Sequence, residues 1–433
     1  MKSIRQRLAL LSVVILLGTV SFGVPALLLG KTIQSGVPFF SNQWFSLTWL
    51  SSTPVSGDDA RALQGLAPDV DREIRQGHQF GIVITRPVRI LVVNDAKFPV
   101  RDLWSALDFT PDASFFKNLE TALMKQNEEG SIEGLTRYQE ELRRTYSLFN
   151  DLPLAICIAG LKGEIEATEV SDFITRLKAS LDRPFGECSS IYGEVNSARY
   201  SKIQSAVWVP TTKSKEFHRY RGVINHEVGH HLFAILFEDV VKKNGLMKTF
   251  SMGCLEVLRS YHFLPLDEFF ADSVAVMNGN QLVLSTQGIK NASDELKRYF
   301  SQERTLAEFL EASRDEKKGG LLGEGHQILN PVRSVLWKLK LKLGTEVAYR
   351  LLVETTREWV KSFFLKDVLA YEHKEVAVVP GAFSLKDYPK DVVSVNQNAL
   401  KLLQGASDKL LTSEQKKTLA EISKNVFGNL LPK

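Results

Sequence analysis

Cysteine is scarce in this chain: Cys157, Cys188 and Cys254 are the only three among 433 residues. The count is odd and no two have metal-site spacing, which excludes a disulfide scaffold and a cysteine-built metal site while leaving room for one bridge. An excess of charge of one sign is lacking too. Lys plus Arg number 54 against 50 Asp plus Glu, a net +4. With no block of like charge and no aromatic-basic stripe, nucleic-acid binding is set aside. Internal repeats and long low-complexity tracts are absent. What remains is an ordinary globular composition, 44% hydrophobic and 24% charged, on a chain long enough for two or three subdomains.

The N-terminus carries the one long apolar run. Lys2, Arg5 and Arg7 precede a stretch from Leu8 to Gly30 that is broken only by small residues and Pro25. Positive charge ahead of an apolar run keeps the amino end in the cytoplasm and sends the rest across. The run is long enough for a retained membrane anchor. Ser21 and Gly23 also suit a cleaved signal ending before Val24, and both readings place the body outside the cytoplasm. No cysteine follows the run, which excludes a lipoprotein-type anchor.

Residues 31–78 mix Ser, Gly, Pro and Asp and read as a stalk or lead-in. From Phe80 the β-branched runs Gly81–Ile84 and Val88–Val93 predict strands, as does Leu154–Ile158. Helices are expected after Thr110-Pro111, through Leu135, Tyr138, Leu142 and Tyr146, and from Phe173 to Leu181. Ser205–Val209, closed by Pro210, reads as an edge strand or a strand end. It leads into a helix with Ser214 as N-cap. Beyond about residue 240 the pattern is mainly helical. The expected fold is α+β, with residues 79–240 forming an α/β half and residues 241–433 a helical half.

The chemistry sits in His226-Glu227-Val228-Gly229-His230. On a helix, residues four apart stack on one face. The two imidazoles can therefore grip one zinc ion while Glu227 points toward the water that the metal would activate. One more protein ligand is required. The histidine of the metzincin class is ruled out, because Phe233 and Leu236 occupy its glycine and histidine places. Glu238 and Asp239 lie about 18 Å along the same helix from His226, out of reach. The better source is the helix begun by Pro265 and ended near Asn278-Gly279. There Glu268 and Asp272 are four apart and face one way. A ligand carboxylate with a second one fixing a ligand histidine is sound zinc chemistry.

With these elements the chain resembles the gluzincin metallopeptidases, the thermolysin-like group, whose two-histidine motif is followed by a glutamate and, four residues on, an aspartate. The resemblance implies a zincin-like fold, with His226, His230 and Glu268 as zinc ligands, Glu227 as general base and Asp272 as partner of a ligand histidine. The segment Gly325–Pro331 with the helix after it resembles the family segment whose histidine stabilises the oxyanion. That implies a catalytic His326, with Arg333 orienting substrate or the site. The chain departs from the pattern at Asp267, where the family often has asparagine. Tyr261 and His262 are alternative oxyanion donors. His231, turned about 100° from His230, is expected to be a packed helix residue.

The expected activity is zinc-dependent hydrolysis of a peptide or protein substrate outside the cytoplasm. The substrate would lie in extended form along the strand that holds Val207 and Trp208. The alternative is an inactive zinc-binding module with a scaffold role in the cell envelope. An intramembrane protease is disfavoured by Arg219, Arg221, Glu238 and Asp239, which flank the motif.

Overall fold

A computed structural model describes residues 33, 35–51, 55–93, 99–105, 112–121 (except 115, 118 and 119), 167–184, 198–201, 205–211, 221–244, 266–278, 304–313, 325–364 and 388–432. Among these residues the molecule is mostly helical, with one mixed five-stranded sheet toward the N-terminus, a coarse α+β arrangement. The strands are β1 (Pro38–Ser41), β2 (Phe45–Leu50), β3 (Val88–Val93), β4 (Arg199–Ser201) and β5 (Ala206–Pro210). Their order across the sheet is β1-β2-β3-β5-β4. β2, β3 and β5 run parallel in the centre, and β1 and β4 lie antiparallel at the two edges. The central strands are near-continuous apolar runs (FSLTWL, VRILVV, AVWVP), the composition of strands buried on both faces.

Three expectations change in the structure. The stretch read as a stalk or lead-in holds β1, β2 and helix α1 (Gly57–Gln79), and Phe45, Leu47, Leu63, Val70 and Ile74 are fully buried in the sheet core. Ser56 starts α1 by accepting a hydrogen bond from the Asp59 amide, an N-cap within the Ser-Gly-Asp tract that looked like a loop. Secondly, Pro210 ends β5, as one alternative had it, but β5 is an interior strand and not an edge. β3 pairs with it on one side and β4 on the other, Arg199 opposite Trp208 and Tyr200 opposite Val207. Residues 82–84 are not a strand, whereas Val88–Val93 is.

Short helices α2 (Val100–Ser105) and α3 (Ala167–Ser180) lie between β3 and β4. Helix α4 (Arg221–Lys243) carries the histidine motif and joins two cores. Val223, Ile224 and Val228 pack with α1 and the sheet. Leu232, Phe233, Leu236, Phe237 and Val240 belong to a helical core. That core is completed by α5 (residues 266–278), α6 (Leu306–Ser313), α8 (Asn330–Leu343), α9 (Thr345–Trp359), α10 (Tyr388–Leu410) and α11 (Ser413–Phe427), with the one-turn α7 (Gly325–Ile328) ahead of α8. Pro331 sits in the first turn of α8, and Gly344 closes it at φ +93°, a left-handed conformation that suits glycine. Arg86 clamps the junction by donating to the Ser205 hydroxyl and to both carboxylate oxygens of Glu238 on α4.

No helix among the described residues is long and apolar enough to cross a membrane. The run 8–30, the expected helix over 135–146, the strand 154–158, Ser214, the three cysteines, Tyr261 and His262 lie outside the described residues.

Candidate metal centre

The site forms where α4 and α5 touch. Gly229 makes that contact possible: a Cβ there would stand 2.7 Å from Ala271 Cα and 3.0 Å from its carbonyl oxygen. Real Cβ atoms do not come so close, so only glycine between the two histidines lets the helix backbones meet. The approach brings the carboxylates of α5 up against the imidazoles of α4.

His226 Nε2 and His230 Nε2 are 3.0 Å apart. Glu268 Oε2 lies 3.2 Å from the first and 3.3 Å from the second. Behind this triangle, Asp272 Oδ1 stands 2.9 Å from His226 Nδ1, and Asp267 Oδ1 is 2.6 Å from His230 Nδ1. Each imidazole therefore has a carboxylate at its rear nitrogen while its front nitrogen faces the shared space. His226, His230, Glu227, Asp267 and Asp272 are all buried.

The electrostatics follow from burial and crowding. Burial works against charge on His226 and His230. The nearby Asp272 and Glu268 carboxylates still hold His226 at about 10, and Asp267 together with Glu268 holds His230 at about 10. Burial also pushes at Glu268 and Asp272, but the surrounding imidazoles, with Arg333 beside Asp272, hold both carboxyls below the usual carboxylate range. Glu227 goes the other way: burial raises it, and the neighbouring histidines offset only part of the rise. A buried glutamate shifted upward suits a group that takes and returns a proton.

His326, at the start of α7, is also brought to the cluster. Its Nδ1 is 3.3 Å from Glu268 Oε2 and 3.5 Å from Asp272 Oδ2, and its side chain is 26% exposed. Burial opposes its charge, but Glu268 and Asp272 raise it to about 9. Of the two roles expected of Arg333, orienting substrate or orienting the site, its surroundings fit the second. It is buried, and its Nη1 donates to Asp272 Oδ2 at 2.6 Å, so it stands behind the site and not on a substrate face. Val207 and Trp208 are likewise buried, with both strand edges already paired, so neither offers its backbone to a substrate. The sheet edge beside α4 belongs to β4.

Sequence reasoning missed three contributors. Asp267 is in sequence only a departure from a family pattern, although its place directly before a ligand candidate is a signal. Tyr200 of β4 has its hydroxyl 2.9 Å from His231 Nδ1 and ties the edge strand to α4. His231 is fully buried, and that burial, with the charge of Arg86, lowers it to about 3, so it stays neutral. Gly229 is the third; a glycine inside a helix pattern costs about 1 kcal/mol against alanine, and that cost was the signal.

The donor set fits a metal ion. His226 Nε2, His230 Nε2 and Glu268 Oε2 form one such group, and His226, Asp272 and His326 a second, overlapping one. Glu268 Oε2 is buried and makes no well-directed hydrogen bond, even with three imidazole nitrogens within 3.3 Å. Arms of ~2.0–2.1 Å from a tetrahedral zinc imply ligand–ligand edges of about 3.3 Å, close to the sides of the triangle. Comparison of the chain with protein-family models, curated proteins and solved structures gave no match in any of the three.

Proposed function

We propose that this chain is a gluzincin-like zinc metallopeptidase of zincin-like fold, hydrolysing peptide bonds outside the cytoplasm. The observation that carries the reading is the triangle of His226 Nε2, His230 Nε2 and Glu268 Oε2, with sides of 3.0 to 3.3 Å beside buried Glu227. Two imidazoles and one carboxylate are the ligand set of a catalytic zinc that keeps its fourth position open. When bound, zinc supplies a Lewis acid that acidifies water and polarises a carbonyl.

The remaining work falls to side chains. His226, His230 and Glu268 hold the ion, and Asp272 and Asp267 fix the two rings. Glu227 takes the proton of the attacking water and returns it to the leaving amine. His326, partly exposed and with Nδ1 3.3 Å from Glu268 Oε2, would steady the oxyanion. A peptide in extended form would align with the edge at β4, since β5 is closed on both sides. The segment 1–30 would serve as membrane anchor or cleaved signal.

Metal analysis and peptide-library cleavage of wild type and Glu227→Gln test the reading. The expected result is one zinc per chain in both proteins and cleavage by wild type alone. Zinc in both with cleavage by neither would favour an inactive zinc-binding scaffold of the envelope. A protein without zinc, or cleavage retained by Glu227→Gln, would reject the assignment.

A further inference from the structure

The two carboxylates behind the histidines have different surroundings. Asp272 turns one oxygen toward His226 Nδ1 and gives the other to Arg333 Nη1 at 2.6 Å, with His326 Nδ1 3.5 Å away. Its charge is thus shared with a guanidinium and a second imidazole. Asp267, directly before Glu268 in α5, is 2% exposed, with Oδ1 2.6 Å from His230 Nδ1. A carboxylate at the rear nitrogen of an imidazole does two things: it fixes the ring, and it makes the front nitrogen a stronger electron donor. An amide in the same place would fix the ring equally well through its carbonyl oxygen. It would add no negative charge.

The helix geometry makes the arrangement economical. Asp267, Glu268 and Asp272 come from one stretch of α5, and the contact of Ala271 with Gly229 seats all three against α4. With Asp267 holding His230 Nδ1, His230 Nε2 faces His226 Nε2 at 3.0 Å and Glu268 Oε2 at 3.3 Å. The charge at Asp267 then reaches the metal through His230.

We infer that Asp267 is a charge-bearing positioning residue, whose carboxylate makes this site bind a divalent cation more tightly than an amide in its place would. The inference rests on the reading of His226, His230 and Glu268 as a zinc set. Full-length wild type, Asp267→Asn and Asp267→Ala would be compared by zinc competition against a chromophoric chelator and by the absorption spectra of their cobalt(II) forms. Asp267→Asn keeps an acceptor for the His230 Nδ1 proton and removes the charge. The expected result is about 10- to 100-fold weaker zinc binding with a cobalt spectrum close to wild type. Asp267→Ala is expected to bind more weakly still and to shift the cobalt spectrum, because the ring is no longer held. Wild type that binds zinc while Asp267→Asn matches it within twofold overturns the role of Asp267 and leaves the zinc reading standing. Wild type without zinc affinity overturns both. Should Asp267→Ala fail to fold, the comparison of wild type with Asp267→Asn decides.

Discussion

Arg333 and Glu73 are the two buried charged residues whose surroundings say most about the cost of building this centre. Arg333 pairs with Asp272 where both side chains are at most 5% exposed. Removing one partner of such a pair leaves an uncompensated buried charge, worth about 3–5 kcal/mol. Arg333→Met is therefore expected to lower the unfolding free energy by that order in denaturant titration, and to weaken metal binding because Asp272 loses its anchor. A surface arginine would give a change within about 0.5 kcal/mol. Glu73 on α1 is completely buried. Burial pushes its carboxyl well above the ordinary value, and Asn278 and His226 offset this only in part. Its folded-state pKa thus exceeds its unfolded one, so its contribution to stability is complete below about pH 4.5 and is lost as pH rises toward the folded value. Glu73→Gln removes that loss. Denaturant unfolding between pH 4 and 8 should show wild type falling behind Glu73→Gln as pH rises, by at most about 1.4 kcal/mol per pH unit. A difference independent of pH would contradict the assignment of a proton to Glu73.

Among the elements, the contact of α4 with α5 is the tightest fit, and one methyl group tests it. Gly229→Ala places a Cβ against the Ala271 backbone, which cannot swing aside as a side chain would. The helices must separate, carrying Glu268 and Asp272 away from the histidines. Overpacking of this kind costs about 1–3 kcal/mol. The expected outcome is a lower melting temperature together with weaker zinc binding, read by calorimetry and chelator competition; zinc affinity equal to wild type would show that the ligands do not depend on this approach. The histidine helix, the helix of Glu268 and Asp272, and α8 after His326 were legible in sequence because each carries its own period or boundary residues. The position of Arg333 was not, since its partner Asp272 lies 61 residues away and on another helix. The interior place of β5 was hidden for a related reason. β4, which covers its edge, is three residues long and too short to leave a pattern. β1, β2 and α1 are hidden because the Ser-, Gly- and Asp-rich tract around residue 56 is a helix N-cap as well as a loop signal.

At the scale of the whole molecule, α4 joins a sheet core to a helical core, and the candidate ligands come from both sides of that junction. His226 and His230 are fixed by a helix packed on the sheet, and Glu268 by one within the helical core. A bound ion would therefore pin the two cores together and stabilise the native state by mass action. At free zinc 100-fold above Kd the gain is about 2.7 kcal/mol. Chelator is expected to lower the melting temperature of the whole protein, and added zinc to restore it. The measurement closest to the central claim is the metal content of the purified full chain, for wild type and for the His226→Ala, His230→Ala double variant. One zinc per wild-type chain and none in the variant is the predicted result. Wild type without zinc, or a variant that retains it, would contradict the account.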